Sequence, residues 1–241
     1  MWSEIRRPEF LDAVVGHVEV KTRLTSYLSA PQYSSVILLY GPPGIGKTTM
    51  ALASVRSAGM DPLEINASQA MRSHEDVAKL IQSCRHGYSI ASMIRGDKKK
   101  TCLILDEIDG SDPHAQRKLA EWMTSSDRKI PVILTCNEVP RIMKLNAGIE
   151  LLRCYPPKAA DLETLFPKEV VAPMAKKFKH DVRRMMQYIQ YGDSDPLPIF
   201  TLPSECSIEV GNILRQKLWT KEDPILHHGY PTDKQDTEHS E

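Results

Sequence analysis

Residues 41–49 read Gly-Pro-Pro-Gly-Ile-Gly-Lys-Thr-Thr and follow the apolar run Val36-Ile-Leu-Leu-Tyr40. Gly41, Gly46, Lys47 and Thr48 satisfy the spacing G-x-x-x-x-G-K-T, with Pro42, Pro43, Gly44, Ile45 and Thr49 completing the turn. Glycines between a strand and a helix let backbone N–H groups curl around a phosphate, and the helix N-terminus adds the positive end of its dipole. In that chemistry the ammonium of Lys47 reaches the β- and γ-phosphates of a nucleoside triphosphate, and the Thr48 hydroxyl holds Mg²⁺.

Three further stretches carry matching chemistry. Leu103-Ile-Leu-Asp106-Glu107 is an apolar run that ends in two adjacent carboxylates, about 60 residues after Lys47. Asp106 would hold the Mg²⁺, directly or through water, and Glu107 would orient or deprotonate the attacking water. Thr135-Cys136-Asn137 ends another apolar run on an amide suited to position that water; the simpler reading is an Asn that starts a turn before Pro140. His180-Asp-Val-Arg183-Arg184 offers an arginine that could reach the γ-phosphate, or one that lies solvated on a helix face.

These groups need a scaffold. Strands are expected at 36–40, 62–65, 101–105, 131–136 and 149–154, and helices at 17–29, 47–58, 73–84 and 113–125. Ser73, with Asp76 three positions on, marks the start of the third of these helices. Strands that are almost continuously apolar and alternate with helices imply a parallel sheet covered on both faces. From Lys158 the pattern is helical only, over 159–166, 167–179 and 180–191. The expected organisation is therefore a nucleotide-binding domain over 1–157, a short helical lid over 158–192, a possible further helix within 193–220 and a disordered tail over 221–241.

Composition narrows the class. The 31 basic and 31 acidic residues cancel, so no global field points to nucleic acid or membrane. A chain of 241 residues can bury roughly 70–75% of its unfolded surface. No apolar run approaches the roughly 20 residues of a membrane span, and Met-Trp-Ser-Glu-Ile-Arg-Arg lacks the core of a signal peptide. The five cysteines form no C-x-x-C pair, and the eight histidines show no ligand spacing. They read as reduced thiols, and no zinc or disulfide framework is expected. The location implied is nuclear in a eukaryote and otherwise cytoplasmic.

Together these motifs resemble the AAA+ clamp-loader ATPases over about residues 1–191. The resemblance is carried by Arg7-Pro8, Leu11-Asp-x-Val-Val-Gly16, the Gly-Pro-Pro-Gly loop, Asn66-Ala-Ser68, Asp106-Glu-x-Asp109-Gly110, Cys136-Asn137 and Asp181-x-Arg183-Arg184 with Ile189-Gln190. Within that family the chain looks like the large-subunit branch of replication factor C and its alternative-loader relatives. The resemblance implies a five-stranded parallel sheet with a helical lid, and ATP and Mg²⁺ as ligands. It also implies Val14 and Val15 against the adenine, Asn137 and Arg183 as sensors, and a subunit of a hetero-pentamer with small loader subunits. The pentamer opens a sliding clamp and places it on primer–template DNA, held through phosphates without base reading.

Small subunits of that family carry Ser-Arg-Cys, whose arginine reaches a neighbour's ATP. Here the comparable stretch is Leu152-Arg153-Cys154, running into Tyr155-Pro-Pro157, so Arg153 reads as a strand residue and the chain as a receiver of such an arginine. The lid is shorter than is usual in the family, Ser207–Leu218 resembles the opening helix of the pentamer's collar, and no N-terminal extension is seen; a minimal loader fits these features. Ile90, Met93 and Ile94 sit where large subunits present a plug for the clamp, or form a loop packing on itself. Arg72, Lys79, Arg85, Arg117 and Lys118 could face DNA phosphates or be solvated. Other readings are a AAA+ subunit of a checkpoint or recombination complex, and a nucleotide-bound scaffold with little turnover.

Overall fold

A computed structural model of the chain describes residues 7–191 other than 72, 85–86, 88–95, 97–98 and 126–127. Arg72, Arg85, Ile90, Met93 and Ile94, and the helix and tail expected after residue 192, lie outside the described residues. The chain divides into two compact units, Met1–Gln190 and Tyr191–Glu241. The described residues belong to the first, apart from Tyr191, which closes its last helix.

Five strands form one parallel sheet: β1 (Val36–Tyr40), β2 (Asp61–Asn66), β3 (Thr101–Asp106), β4 (Val132–Cys136) and β5 (Ile149–Arg153), in the order β2-β3-β4-β1-β5. The apolar runs follow from double-sided burial. Val36, Leu38, Leu103, Leu105, Val132 and Leu134 enter one core. Their neighbours Ile37, Leu39, Cys102, Ile104 and Ile133 enter the other, as the two-residue alternation of a strand requires. The outer strands β2 and β5 are only partly buried, and it is they that carry Asp61, Glu64, Glu150 and Arg153.

The helices are α1 (Val18–Leu28), α2 (Lys47–Ser57), α3 (Ala67–Ala70), α4 (His74–Ser83), α5 (Pro113–Met123), α6 (Arg141–Lys144), α7 (Ala159–Leu162), α8 (Lys168–Phe178) and α9 (Val182–Tyr191). Helices α1 and α2 cover one face through Leu24, Tyr27, Met50 and Leu52. Helices α4 and α5 cover the other through Val77, Leu80, Leu119 and Met123. Ser73 and Asp76 form the expected capping box: the Ser73 hydroxyl accepts from the Asp76 N–H at 3.3 Å, and the Asp76 carboxylate accepts from the Ser73 N–H at 3.0 Å. Among the described residues no helix is long and apolar enough to cross a membrane.

Far from the strand C-termini, the guanidinium of Arg128 is buried among carbonyls. It donates to Met123 O at 2.8 Å, Ile130 O at 3.0 Å and Ser35 O at 3.0 Å, and also to Tyr33 O. The Tyr27 hydroxyl accepts from the Val132 N–H at 3.0 Å beside it. This network joins the end of α5 to the starts of β1 and β4.

The sheet and its covering helices lie where the sequence puts them, within one or two residues at the ends. The last segment differs more. The helix expected over 159–166 is a single turn, Ala159–Leu162, succeeded by turns that tuck Leu162 and Phe166 into the interior. The helix expected to start at 180 starts at Val182. Lys179 and His180 are both left-handed, with φ of 51° and 61°, so the chain reverses there and Asp181 caps α9. Four short elements lie outside the sequence expectation: a 3₁₀ turn at Leu11–Ala13, α3, a 3₁₀ turn at Ile108–Gly110, and α6. They are too short for periodicity to reveal.

Candidate active site

The strand order places β1 between β4 and β5, with the chain crossing from β1 out to β2 and returning through β3 and β4. Such a reversal opens a crevice at the strand C-termini. Tyr40 and Cys136 are register partners there, and Leu105 pairs with Leu134 one layer down. The loop after β1 thus meets the polar ends of β3 and β4.

Gly46 caps α2 in the left-handed region, with φ of 96° and ψ of 16°. That backbone turns the chain into the helix and suits glycine because no Cβ opposes it. Lys47, only 8% exposed, donates from Nζ to Gly41 O at 2.9 Å, to Pro42 O at 2.8 Å and to Asn137 Oδ1 at 3.0 Å. Loss of hydration pushes its ammonium below the ordinary value of 10.5, while Asp106 and Asp109 are among the groups that pull it back up.

The Thr48 hydroxyl donates to Asp106 Oδ1 at 2.7 Å, and the Thr135 hydroxyl donates to the same oxygen. Glu107, next in the chain, is left-handed with φ of 56°, and its N–H donates to Thr135 Oγ1 at 3.3 Å. Its carboxylate accepts from Asn66 Nδ2 at 3.0 Å and from Ser68 Oγ at 3.3 Å. Asn137 comes directly after β4 with its side chain on Lys47, while its N–H and that of Glu138 donate to Asp109 Oδ2 at 3.0 and 3.2 Å. Asn137 therefore starts a turn and faces the crevice as well, so its two sequence readings are compatible.

Two hollows adjoin along this crevice. One, of about 70 Å³, is lined by the loop, Lys47, Thr48, Asp106, Glu107, Thr135, Asn137 and Arg183. The other, of about 120 Å³, is mainly apolar, with Val14, Val15, Ile45, Pro157, Val182 and Met186 in its wall, and it shares Gly44, Gly46, Thr49 and Arg183 with the first. Apart from Gly41 and Pro42, the residues singled out in the sequence for one ligand line one continuous cleft, with Val14 and Val15 at the apolar end.

The start of α9 closes the cleft. The Arg183 N–H donates to Gly44 O at 3.3 Å, and a Cβ on Gly44 would lie 1.8 Å from Asp181 Oδ1. Arg184 instead turns to Asp181, 3.8 Å away, whereas Arg183 lines both hollows and Arg7 lines the apolar one. Below the loop, His17 Nε2 donates to Ile45 O at 3.0 Å, and burial lowers its pKa from 6.5. Arg153 ends β5, exposed, with its guanidinium 5.0 Å above the Tyr155 ring, consistent with its reading as a strand residue. Lys79 and Arg117 are exposed on α4 and α5.

Residues 37–149 match the AAA family, described as the ATPase family associated with various cellular activities. Over that stretch the chain is similar to the AAA ATPases. It is similar to the replication factor C large subunit of Methanococcus maripaludis strain C5, with 32% identity over 63% of this chain and 31% of that protein. It is likewise similar to those of Sulfolobus acidocaldarius (32% identity, 76% of this chain and 43% of that protein) and Thermococcus kodakarensis (28%, 78% and 40%). The chain thus spans between about a third and about two fifths of the length of these relatives. Among solved structures, its fold is like that of the Thermotoga maritima RuvB Holliday junction branch migration motor, with a TM-score of 0.57 at 18% identity over 76% of this chain and 65% of that one.

Several groups that shape the candidate site have no role assigned from sequence. Asn66, Ser68 and Asp109 stand there only as parts of a motif. The parallel register pairs Asn66 with Asp106 at the ends of β2 and β3, and strand alignment could have found that neighbourhood. Thr135 lies two positions before Asn137 and lines the same hollow. His17 carries no local signal and Asp181 stands there only as part of a motif, since their partners are 28 and 137 positions away.

Proposed function

We propose that the chain binds ATP with Mg²⁺ in this cleft and hydrolyses it as a subunit of a loader for sliding clamps. The observation that carries the first half is one hydrogen-bonded constellation. Lys47 is joined to Asn137, and Thr48 to Asp106, beside Glu107 and under Arg183. In this reading the loop N–H groups and Lys47 bind the phosphates, and Val14 and Val15 meet the adenine in the apolar hollow. Glu107 takes a proton from the attacking water, Asn137 orients that water, and Arg183 contacts the γ-phosphate.

The residues fit a magnesium ion. A hydroxyl and a carboxylate lie 2.7 Å apart, both hard oxygen donors, and Mg²⁺ takes one or two protein oxygens together with phosphate and water. Thr48 and Asp106 would hold it, and when bound it neutralises charge on the phosphates. Among the described residues no cluster of three or more His, Cys, Asp or Glu offers an alternative metal site.

The loader assignment rests on similarity to replication factor C large subunits over the AAA domain. It extends to small loader subunits, the clamp and primer–template DNA as partners, and to a neighbour's arginine completing the site. We assign residues 1–157 to nucleotide binding and 158–192 to the lid. The test is co-purification of the full chain with small loader subunits and a clamp, and then ATPase assays with and without clamp and DNA. Assembly with stimulated hydrolysis is expected. Intact ATP binding in Lys47→Ala would overturn the site; failure to associate with any small subunit would overturn the loader assignment alone.

A further inference from the structure

Thr135 is 1% exposed in the central strand β4, yet its hydroxyl makes two bonds to the strand next door. It donates its single proton to Asp106 Oδ1 and accepts the Glu107 N–H at 3.3 Å. A hydroxyl has one donor and two acceptor lone pairs, so one group can serve both neighbours at once. Valine, its isostere, could serve neither.

Each bond answers a local problem. Asp106 Oδ1 receives two hydroxyl protons, from Thr48 on α2 and Thr135 on β4, and the two together hold the carboxylate in place. Glu107 departs from strand geometry into the left-handed region, where a side chain with a Cβ is disfavoured, and its N–H has left the sheet ladder. The Thr135 oxygen supplies the partner that this N–H needs. The bend at Glu107 in turn directs its carboxylate to Asn66 and Ser68.

We infer that Thr135 is a positioning residue for both acidic groups: its hydroxyl holds Asp106 in the orientation that receives Mg²⁺ and holds the Glu107 backbone in its bend. This rests on the proposed ATP site and adds a residue to which neither motif assigns a role. Thr135 acts through its two neighbours and not on metal or phosphate directly. Groups that orient a metal's ligands matter by about 10- to 100-fold in metal affinity when removed.

The test compares the full-length chain with Thr135→Val and Thr135→Ser, using a fluorescent ATP analogue with EDTA and then with increasing Mg²⁺, and thermal unfolding alongside. Thr135→Val should bind the analogue as the unaltered chain does in EDTA, but require about tenfold more Mg²⁺ to reach its tight-binding state. Thr135→Ser should restore the original Mg²⁺ dependence. The same Mg²⁺ dependence in Thr135→Val and the unaltered chain overturns the inference. So does an equal loss of analogue binding in EDTA for both variants, which marks a packing role only. If the unaltered chain binds no analogue under any condition, it is the ATP-site reading that fails.

Discussion

Lys47 Nζ lies 3.0 Å from Asn137 Oδ1, so the first residue of α2 and the residue just after β4 are joined across the crevice. The same ammonium holds two carbonyls of its own loop, and three acceptors fix a side chain that would otherwise have four free torsions. All three donors of the ammonium are thus engaged, so in the proposed reading a phosphate draws Lys47 from at least one of these acceptors.

Lys47→Ala should therefore lower ATP affinity by about 100-fold, the equivalent of about 3 kcal/mol of charge-assisted hydrogen bonding. Asn137→Ala should leave affinity close to that of the unaltered chain and slow turnover by about 100-fold. Equilibrium binding and single-turnover hydrolysis separate the two. Equal losses of binding in both variants would contradict this division of labour.

Gly44→Ala should destabilise the chain by about 1–2 kcal/mol, since φ is +71° and the new Cβ would meet Asp181 Oδ1. Asp181→Ala alone should cost about 1 kcal/mol through loss of the cap on α9. The double variant should fall short of the sum by about 1 kcal/mol, because the clash disappears with the carboxylate. Denaturant titrations of the four proteins check this; strict additivity would mean that α9 does not seat on the loop.

His17 gives a pH signature. Its folded pKa is depressed below 6.5 by burial, with Lys21 and Lys47 adding to the effect and the Ile45 carbonyl and Asp161 opposing it. Between the folded value and 6.5 the unfolded chain binds more protons, so stability must fall as pH falls through that window. His17→Asn, which tolerates the left-handed backbone at this position, should lose less of its thermal midpoint than the unaltered chain on acidification from about pH 7 to about pH 5. An identical slope in both proteins would rule out the histidine as the source.

Arg128 should matter to stability and not to the ligand. Arg128→Leu takes the guanidinium donors from the Met123, Ile130 and Tyr33 carbonyls and leaves Ser35 O with the Tyr27 hydroxyl alone, at a cost of about 3 kcal/mol or more. Unfolding midpoints should drop accordingly, while ATP affinity at a temperature where the variant stays folded is unchanged.

The sheet was legible because both periodicity and composition speak for it: Val36–Leu39, Leu103–Leu105 and Val132–Leu134 are apolar on both faces and could only be central strands. Lys47, Thr48, Asp106, Glu107 and Asn137 were legible because each ends or succeeds such a strand at a recognisable spacing. The features that escaped depend on contacts distant along the chain. Nothing near Asp181 announces Gly44, and nothing near His17 announces Ile45. The early end of α7 and the late start of α9 escaped for another reason. Left-handed Lys179 and His180 are not glycines, and the turn after Leu162 keeps an apolar, helix-like composition.

Cys136 ends β4 and Cys154 comes directly after β5, on either side of the Lys47 loop, and burial pushes both thiols up to about 12. Almost no thiolate exists there at neutral pH, and the thiolate is the species that alkylating reagents attack. Modification of these two cysteines must wait for the sheet to open, so their labelling rate is a clock for local unfolding around the loop. Read by peptide mass spectrometry with and without ATP, that clock reports how firmly the ligand holds the sheet shut, with the alkylating reagent as its only label.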